Sequence, residues 1–289
     1  MLSKTKFGLT IIILANLMSA TWLLSACSPA APKQLEPTFA PTMEATAVEA
    51  PTPTVESIAT AQPEAPATET SDQQLQFSMD AGSLASGWQT ETVPTVFGGD
   101  APYWEVLPQH TRVTLQGYPV SESLMQPVIY IYPLKELQKI SETSRPVVSA
   151  LQTLLAAPQD SPDLPFLPLI NAAQVTHAHL EYLDFKSGQG LRYLTMFSQG
   201  LVPINNYELI YTYQGLTRDG KYYVAAVLPV THPILPANGS ITGNEPPEFT
   251  SDFTAYVQNT TSALNAQAAN TYSPDLAQLD AMLSSLEIQ

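Results

Sequence analysis

The stretch "VTHAHLEYLDF", residues 175–185, sets His177, His179 and Glu181 at alternate positions. Side chains alternate across a β-strand, so a strand here puts all three on one face. Two imidazoles and a carboxylate are accepted zinc ligands, and an open fourth position would let the metal activate water. A second strand usually completes such a set. The same three residues also read as the polar face opposite Ala178, Leu180 and Tyr182, which requires no metal. His110 and His232 adjoin prolines and read as exposed loop histidines.

Tyrosines form the second pattern. Tyr130 and Tyr132 share one strand face, Tyr211 and Tyr213 another, and Tyr193 and Tyr223 fall on strands expected to be neighbours. Aligned rings can make a platform for sugars or proline-rich peptides. They are also ordinary sheet formers that pack across strands. The sequence contains no HExxH, CxxC, G-x-S-x-G or Walker loop. "GQG" at 188–190 lacks a third glycine and reads as part of a turn. No motif calls for a cofactor.

The elements that position these residues are visible in the second half. Strands are expected at 175–185, 191–197, 207–216 and 221–230, joined by a turn at "KSGQG" and by Asp219-Gly220, a hairpin signal. Four strands with short connections predict an antiparallel meander. "YYVAAVL" is apolar on both faces, so both must be covered. Helices to cover them are expected at 145–157, with Val147, Val148, Leu151, Leu154 and Leu155 on one side, at 250–269 with Thr250 or Ser251 as cap, and at 273–288 behind Ser-Pro-Asp. Earlier strands are expected at 111–118 and at the start of 127–140, which runs on into a helix. The fold class is α+β: a mostly antiparallel sheet covered by helices.

The amino terminus is organised differently. Lys4 and Lys6 precede an uncharged run from Phe7 to Leu24, closed by Ser25 and Ala26. That order is the secretory signal pattern. Cys27 is the only cysteine, so no disulfide can form within the chain. "LSAC", residues 24–27, resembles the lipobox of bacterial lipoproteins at every position. The resemblance implies cleavage between Ala26 and Cys27, and acylation of Cys27 with at least two chains such as palmitate. One chain holds a protein to a bilayer weakly and two hold it firmly, at about 0.8 kcal/mol per buried methylene.

Beyond Cys27 the chain is rich in Pro, Thr, Ala and Glu as far as Gln73. Scattered prolines and few large apolar residues predict a disordered stalk. Its full extension as polyproline II would be on the order of 140 Å. The expected organisation is a signal peptide at 1–26, a lipidated and disordered stalk at 27–73, and one globular domain at 74–289. Residues 190–236 resemble a group of uncharacterised bacterial lipoproteins, and the carboxyl terminus "LDAMLSSLEI" is similar to the end of PsbP-like domains.

With 26 acidic and 11 basic residues the chain carries a net charge of −15. That repels phosphate backbones and argues against nucleic acid as partner. The expectation is an exported protein, lipid-anchored to a bacterial cell membrane or outer membrane and facing away from the cytoplasm. Its domain would bind an envelope ligand or protein without catalysis. The alternative is an envelope hydrolase, metal-dependent if His177, His179 and Glu181 converge.

Overall fold

The structure, a computed structural model, describes residues 75–289. The signal segment, Cys27 and the stalk lie outside the described residues.

Seven antiparallel strands form the main sheet. They are β2 (Gly87–Val93), β3 (His110–Gln116), β4 (Val128–Pro133), β5 (Ala173–Phe185), β6 (Gly188–Ser198), β7 (Ile210–Thr217) and β8 (Tyr222–Pro229), in the order β2-β3-β4-β8-β7-β6-β5. The four strands from β5 to β8 are sequential neighbours, which is the expected meander. β8 closes it against β4, with Ile129 opposite Ala226 and Ile131 opposite Val224. A short β1 (Phe77–Ser78) pairs separately with β9 (Glu287–Ile288) at the carboxyl terminus.

The β7–β8 turn follows from its residues. Asp219 Oδ1 accepts from Thr217 Oγ1–H at 2.7 Å and from the Lys221 N–H at 3.0 Å, while Gly220 takes φ +67°. An Asx turn followed by a residue without Cβ is the physical content of the Asp-Gly signal. The β5–β6 turn is tighter than expected. It consists of Lys186 and Ser187, and Gly188 and Gly190 belong to β6 rather than to the turn. A Cβ at Gly190 would meet Tyr213 Oη and Gln214 O on β7, so this position requires glycine for close packing.

Helices cover both faces. α1 (Leu134–Ile140) and α2 (Ser144–Ala156) pack Leu137, Val148, Leu151 and Leu154 against Leu191, Tyr193, Ile210, Tyr223 and Ala225. On the other face lie α3 (Pro247–Ser251), α4 (Phe253–Asn265) and α5 (Leu276–Ser284). They pack Phe249, Tyr256, Leu264, Leu279 and Leu283 against Leu194, Met196, Tyr211, Tyr213 and Ala226. Each fully buried large apolar side chain contributes roughly 1.5–3 kcal/mol of transfer free energy. The cap of α4 is Asp252, whose side chain accepts from the Ala255 N–H, and not Thr250 or Ser251. Asp275 caps α5 through the Ala277 N–H.

Candidate functional site

His177, His179 and Glu181 border one cleft of about 690 Å³ at the β5 edge, but the expected common strand face does not form. Ala178 sits opposite Leu194 and Glu181 opposite Arg192, so Tyr193 alone faces both His179 and Leu180. This is a β-bulge, and its extra residue shifts the alternation by one. His179 itself has φ +52°, in the left-handed region that costs a residue with a Cβ about 1–2 kcal/mol. The Asn265 side chain on α4 accepts its backbone N–H at 2.6 Å. Beyond the bulge Glu181 lies on the α5 side. His177 instead faces Asp160, 3.9 Å away, in the segment after α2.

The His179 ring reaches from β5 to the helices on that face. Its Nε2 lies 2.8 Å from Leu264 O and 3.0 Å from Tyr272 Oη. A carbonyl only accepts, so Nε2–H donates to it. The ring therefore ties β5 to the end of α4. Burial lowers its pKa, and the nearby Arg192 guanidinium adds to that. The Tyr272 ring lies between two imidazoles, His179 at 5.3 Å and His232 at 4.5 Å. His232 Nδ1 accepts from the Ile234 N–H at 3.2 Å and its Nε2 contacts Thr271 Oγ1 at 2.9 Å. His110 donates from Nδ1 to Pro108 O at 2.8 Å. Contrary to expectation, His110 and His232 are both buried. Burial lowers the pKa of each. Among the described residues no group of three or more His, Cys, Asp or Glu side chains is placed to hold a metal ion.

Beside the bulge lies a charge cluster built around a buried arginine. Arg192 is 3% exposed. It holds Asp280 on α5 through Nε and Nη2 at 3.0 and 3.2 Å, Glu181 at 2.8 Å, and the His179 carbonyl that the bulge turns toward it. Tyr211 donates to Asp280 Oδ1 at 2.9 Å. Burial raises the Asp280 pKa, outweighing the attraction of Arg192. The cluster fixes α5 to the sheet.

The paired tyrosines pack inside the layers and form no exposed platform. Tyr132, Tyr211 and Tyr213 are fully buried, and Tyr130 is half-buried against the α1–α2 layer. The pairs do share faces, and Tyr130 and Tyr132 stack at 5.9 Å and 11°, but those faces are internal. Tyr193 and Tyr223 lie on β6 and β8, separated by β7 rather than adjacent.

What the sequence reading missed is one end of the sheet. Loops 117–127, 199–209 and 230–246 leave β3, β6 and β8 at the same end, as the pairing register requires. Asn206 and Tyr207 lock the three loops together. Tyr207 O accepts from the Leu124 N–H at 2.8 Å. The Asn206 N–H donates to Pro236 O at 2.9 Å, and Asn206 Oδ1 accepts from the His232 N–H at 2.8 Å. On this frame five large apolar side chains stand in solvent: Leu124 (53% exposed), Leu201 (63%), Tyr207 (41%), Ile234 (46%) and Ile241 (61%). Two clefts open here on either side of α4. One of about 330 Å³ is lined by Ile204, Ile234, Pro236, Pro246 and Tyr256. The other, about 630 Å³, is lined by Val175, Leu201, Phe253 and Val257. Both volumes fall within the range of ligand clefts, roughly 300–1,000 Å³. The signal available in the sequence was a set of long loops placing Leu or Ile beside Pro and Gly without a single Lys or Arg.

No protein-family model, curated protein or solved structure matches the chain.

Proposed function

We propose that the protein is a lipid-anchored component of a bacterial cell envelope, held through Cys27, whose domain binds another envelope component and catalyses no reaction. The observation that carries this reading is the rim: five exposed apolar side chains on three loops that hydrogen bonds hold as one frame. Exposed apolar clusters rimmed by polar groups mark interaction sites. A pre-formed frame binds at a smaller ordering cost than loose loops. The groups that carry chemistry elsewhere have structural tasks here. His179 and His232 hold Tyr272 and the end of α4, and Arg192 and Asp280 hold α5. The test uses detergent-solubilised envelopes and sedimentation. The wild-type protein should travel in an assembly larger than itself. Leu201→Ser/Tyr207→Ser/Ile234→Ser should travel alone with an unchanged melting temperature. A triple variant that stays in the assembly would refute the reading.

A further inference from the structure

The charge of the rim specifies its partner. Loops 117–127, 199–209 and 230–246 carry Glu122, Glu208 and Glu245 and neither Lys nor Arg. Glu245 lines the cleft of about 330 Å³ beside Ile234, Pro246 and Tyr256. Its carboxylate accepts from the Thr242 N–H at 2.5 Å, the Thr242 hydroxyl at 2.9 Å and the Gly243 N–H at 2.9 Å. Those donors favour the charged form and hold its pKa below the usual carboxylate value. A fixed negative charge thus lines an apolar cleft.

The rim also faces away from the point where the described chain begins. Leu75 leads into β1, which pairs with β9, and β9 is tied to the β5–β6 turn by Ser187 and Ile288 at 2.8 and 3.0 Å. Leu201 follows the opposite end of β6, an eleven-residue strand, about 35 Å away at strand rise.

We propose that the rim receives a segment of another envelope protein that inserts an apolar side chain between Ile234 and Tyr256 and carries Lys or Arg on either side of it. This rests on the reading of the rim as a binding surface. Two other occupants fit the charge poorly. A second copy would bring its own Glu122, Glu208 and Glu245 against these, and like charges across an interface are unfavourable. A bilayer surface is held by loops that pair apolar tips with Lys or Arg for the headgroups, and these loops have none.

The probe is a set of twelve-residue peptides sharing a central Leu-Phe pair, flanked by Lys, Ser or Glu, titrated by fluorescence anisotropy against the full mature chain. Lys-flanked peptides should bind at least tenfold more tightly than Glu-flanked ones, and the advantage should shrink at high salt. Ile234→Ser and Glu245→Gln should each weaken the Lys-flanked peptide severalfold, Ile234→Ser without changing the melting temperature. Equal binding of Lys and Glu flanks, or binding unaffected by Ile234→Ser, overturns the proposal. So does rim-dependent binding to phosphatidylcholine vesicles, or a dimer that Ile234→Ser dissolves. If the rim variants release the protein from its envelope assembly but the peptides show no charge preference, this partner class is wrong and the binding reading stands. If the variants remain assembled, both fall.

Discussion

Arg192 on β6 holds Asp280 on α5 through two hydrogen bonds, 3.0 and 3.2 Å long, at a site where the arginine is 3% exposed. Arg192→Met leaves the Asp280 carboxylate with Tyr211 as its remaining donor, whereas Asp280→Asn leaves Arg192 paired with Glu181 and the His179 carbonyl. Arg192→Met should therefore lower stability by on the order of 3 kcal/mol and Asp280→Asn by less. The double variant Arg192→Met/Asp280→Leu should recover much of that loss, because it buries no charge. Urea melts of the three variants measure it. Losses that simply add in the double variant would show that the two residues do not act as a pair.

Acid should loosen the attachment of the helices to β5. The pKa values of His179 and His232 are lowered in the folded protein below the ordinary 6.5. The unfolded chain then takes up protons first, so stability falls as pH drops below about 6.5 toward the folded values. His179 faces Leu264 O on α4, Tyr272, Arg192 on β6, Glu181 on its own strand, Asp280 on α5 and the His232 ring. Asp280 acts in the opposite sense, because folding raises its pKa and so favours its protonation at low pH. In His179→Asn/His232→Asn, the drop in melting temperature between pH 7.5 and 5.5 should be smaller than in the wild type. Asn suits the first position because it tolerates positive φ. His110 titrates in both proteins, so the slope should shrink without vanishing. An unchanged slope would remove these two histidines from the account.

Two buried tyrosines should respond in opposite ways to loss of the hydroxyl. Among the described residues Tyr132 Oη has no hydrogen-bond partner, whereas Tyr211 Oη donates to Asp280. Tyr132→Phe should be neutral or gain about 1 kcal/mol, and Tyr211→Phe should lose about 1 kcal/mol or more. Denaturant unfolding of both decides it, and a marked loss in Tyr132→Phe would reveal a buried partner, such as water, for that hydroxyl.

The anchor has its own test. Mass spectrometry of the mature amino terminus should find an acylated Cys27 as first residue, and Cys27→Ser should leave the protein unprocessed or released. An unmodified Cys27, or a mature chain that starts elsewhere, contradicts lipid attachment.

The sequence specified the meander well, because alternating apolar residues and an Asp-Gly turn act locally. It failed wherever a single residue altered the phase. The bulge at His179 and Leu180 carries no local mark: strict alternation placed His177 with Glu181 on one face, and one extra residue opposite Tyr193 turned them to opposite faces of β5, although both still border one cleft at its edge. Tyr211 and Tyr213 allowed both a platform and a packing reading, and no local signal chose between them. Their shared face was correct, but whether it meets solvent depends on distant helices. β8, apolar on both sides, already implied that the sheet is covered twice, and its neighbour β7 had to share that cover. Asp252 as the α4 cap could have been read directly, since Asp is as strong a cap as Ser. The rim was hidden because exposure of Leu201 or Ile234 is decided by how three loops lock together, which no short window contains.

Site-specific photo-crosslinking in cells measures directly whether this domain binds a partner with the loop end of its sheet. A photoreactive residue at Tyr207 or Ile234 should give a discrete adduct with an envelope component. The same residue at Lys139 or Glu142, 75% and 86% exposed near α1, should give none. Adducts at Lys139 and Glu142 with none at Tyr207 or Ile234 would show that the loop end of the sheet is not the binding surface.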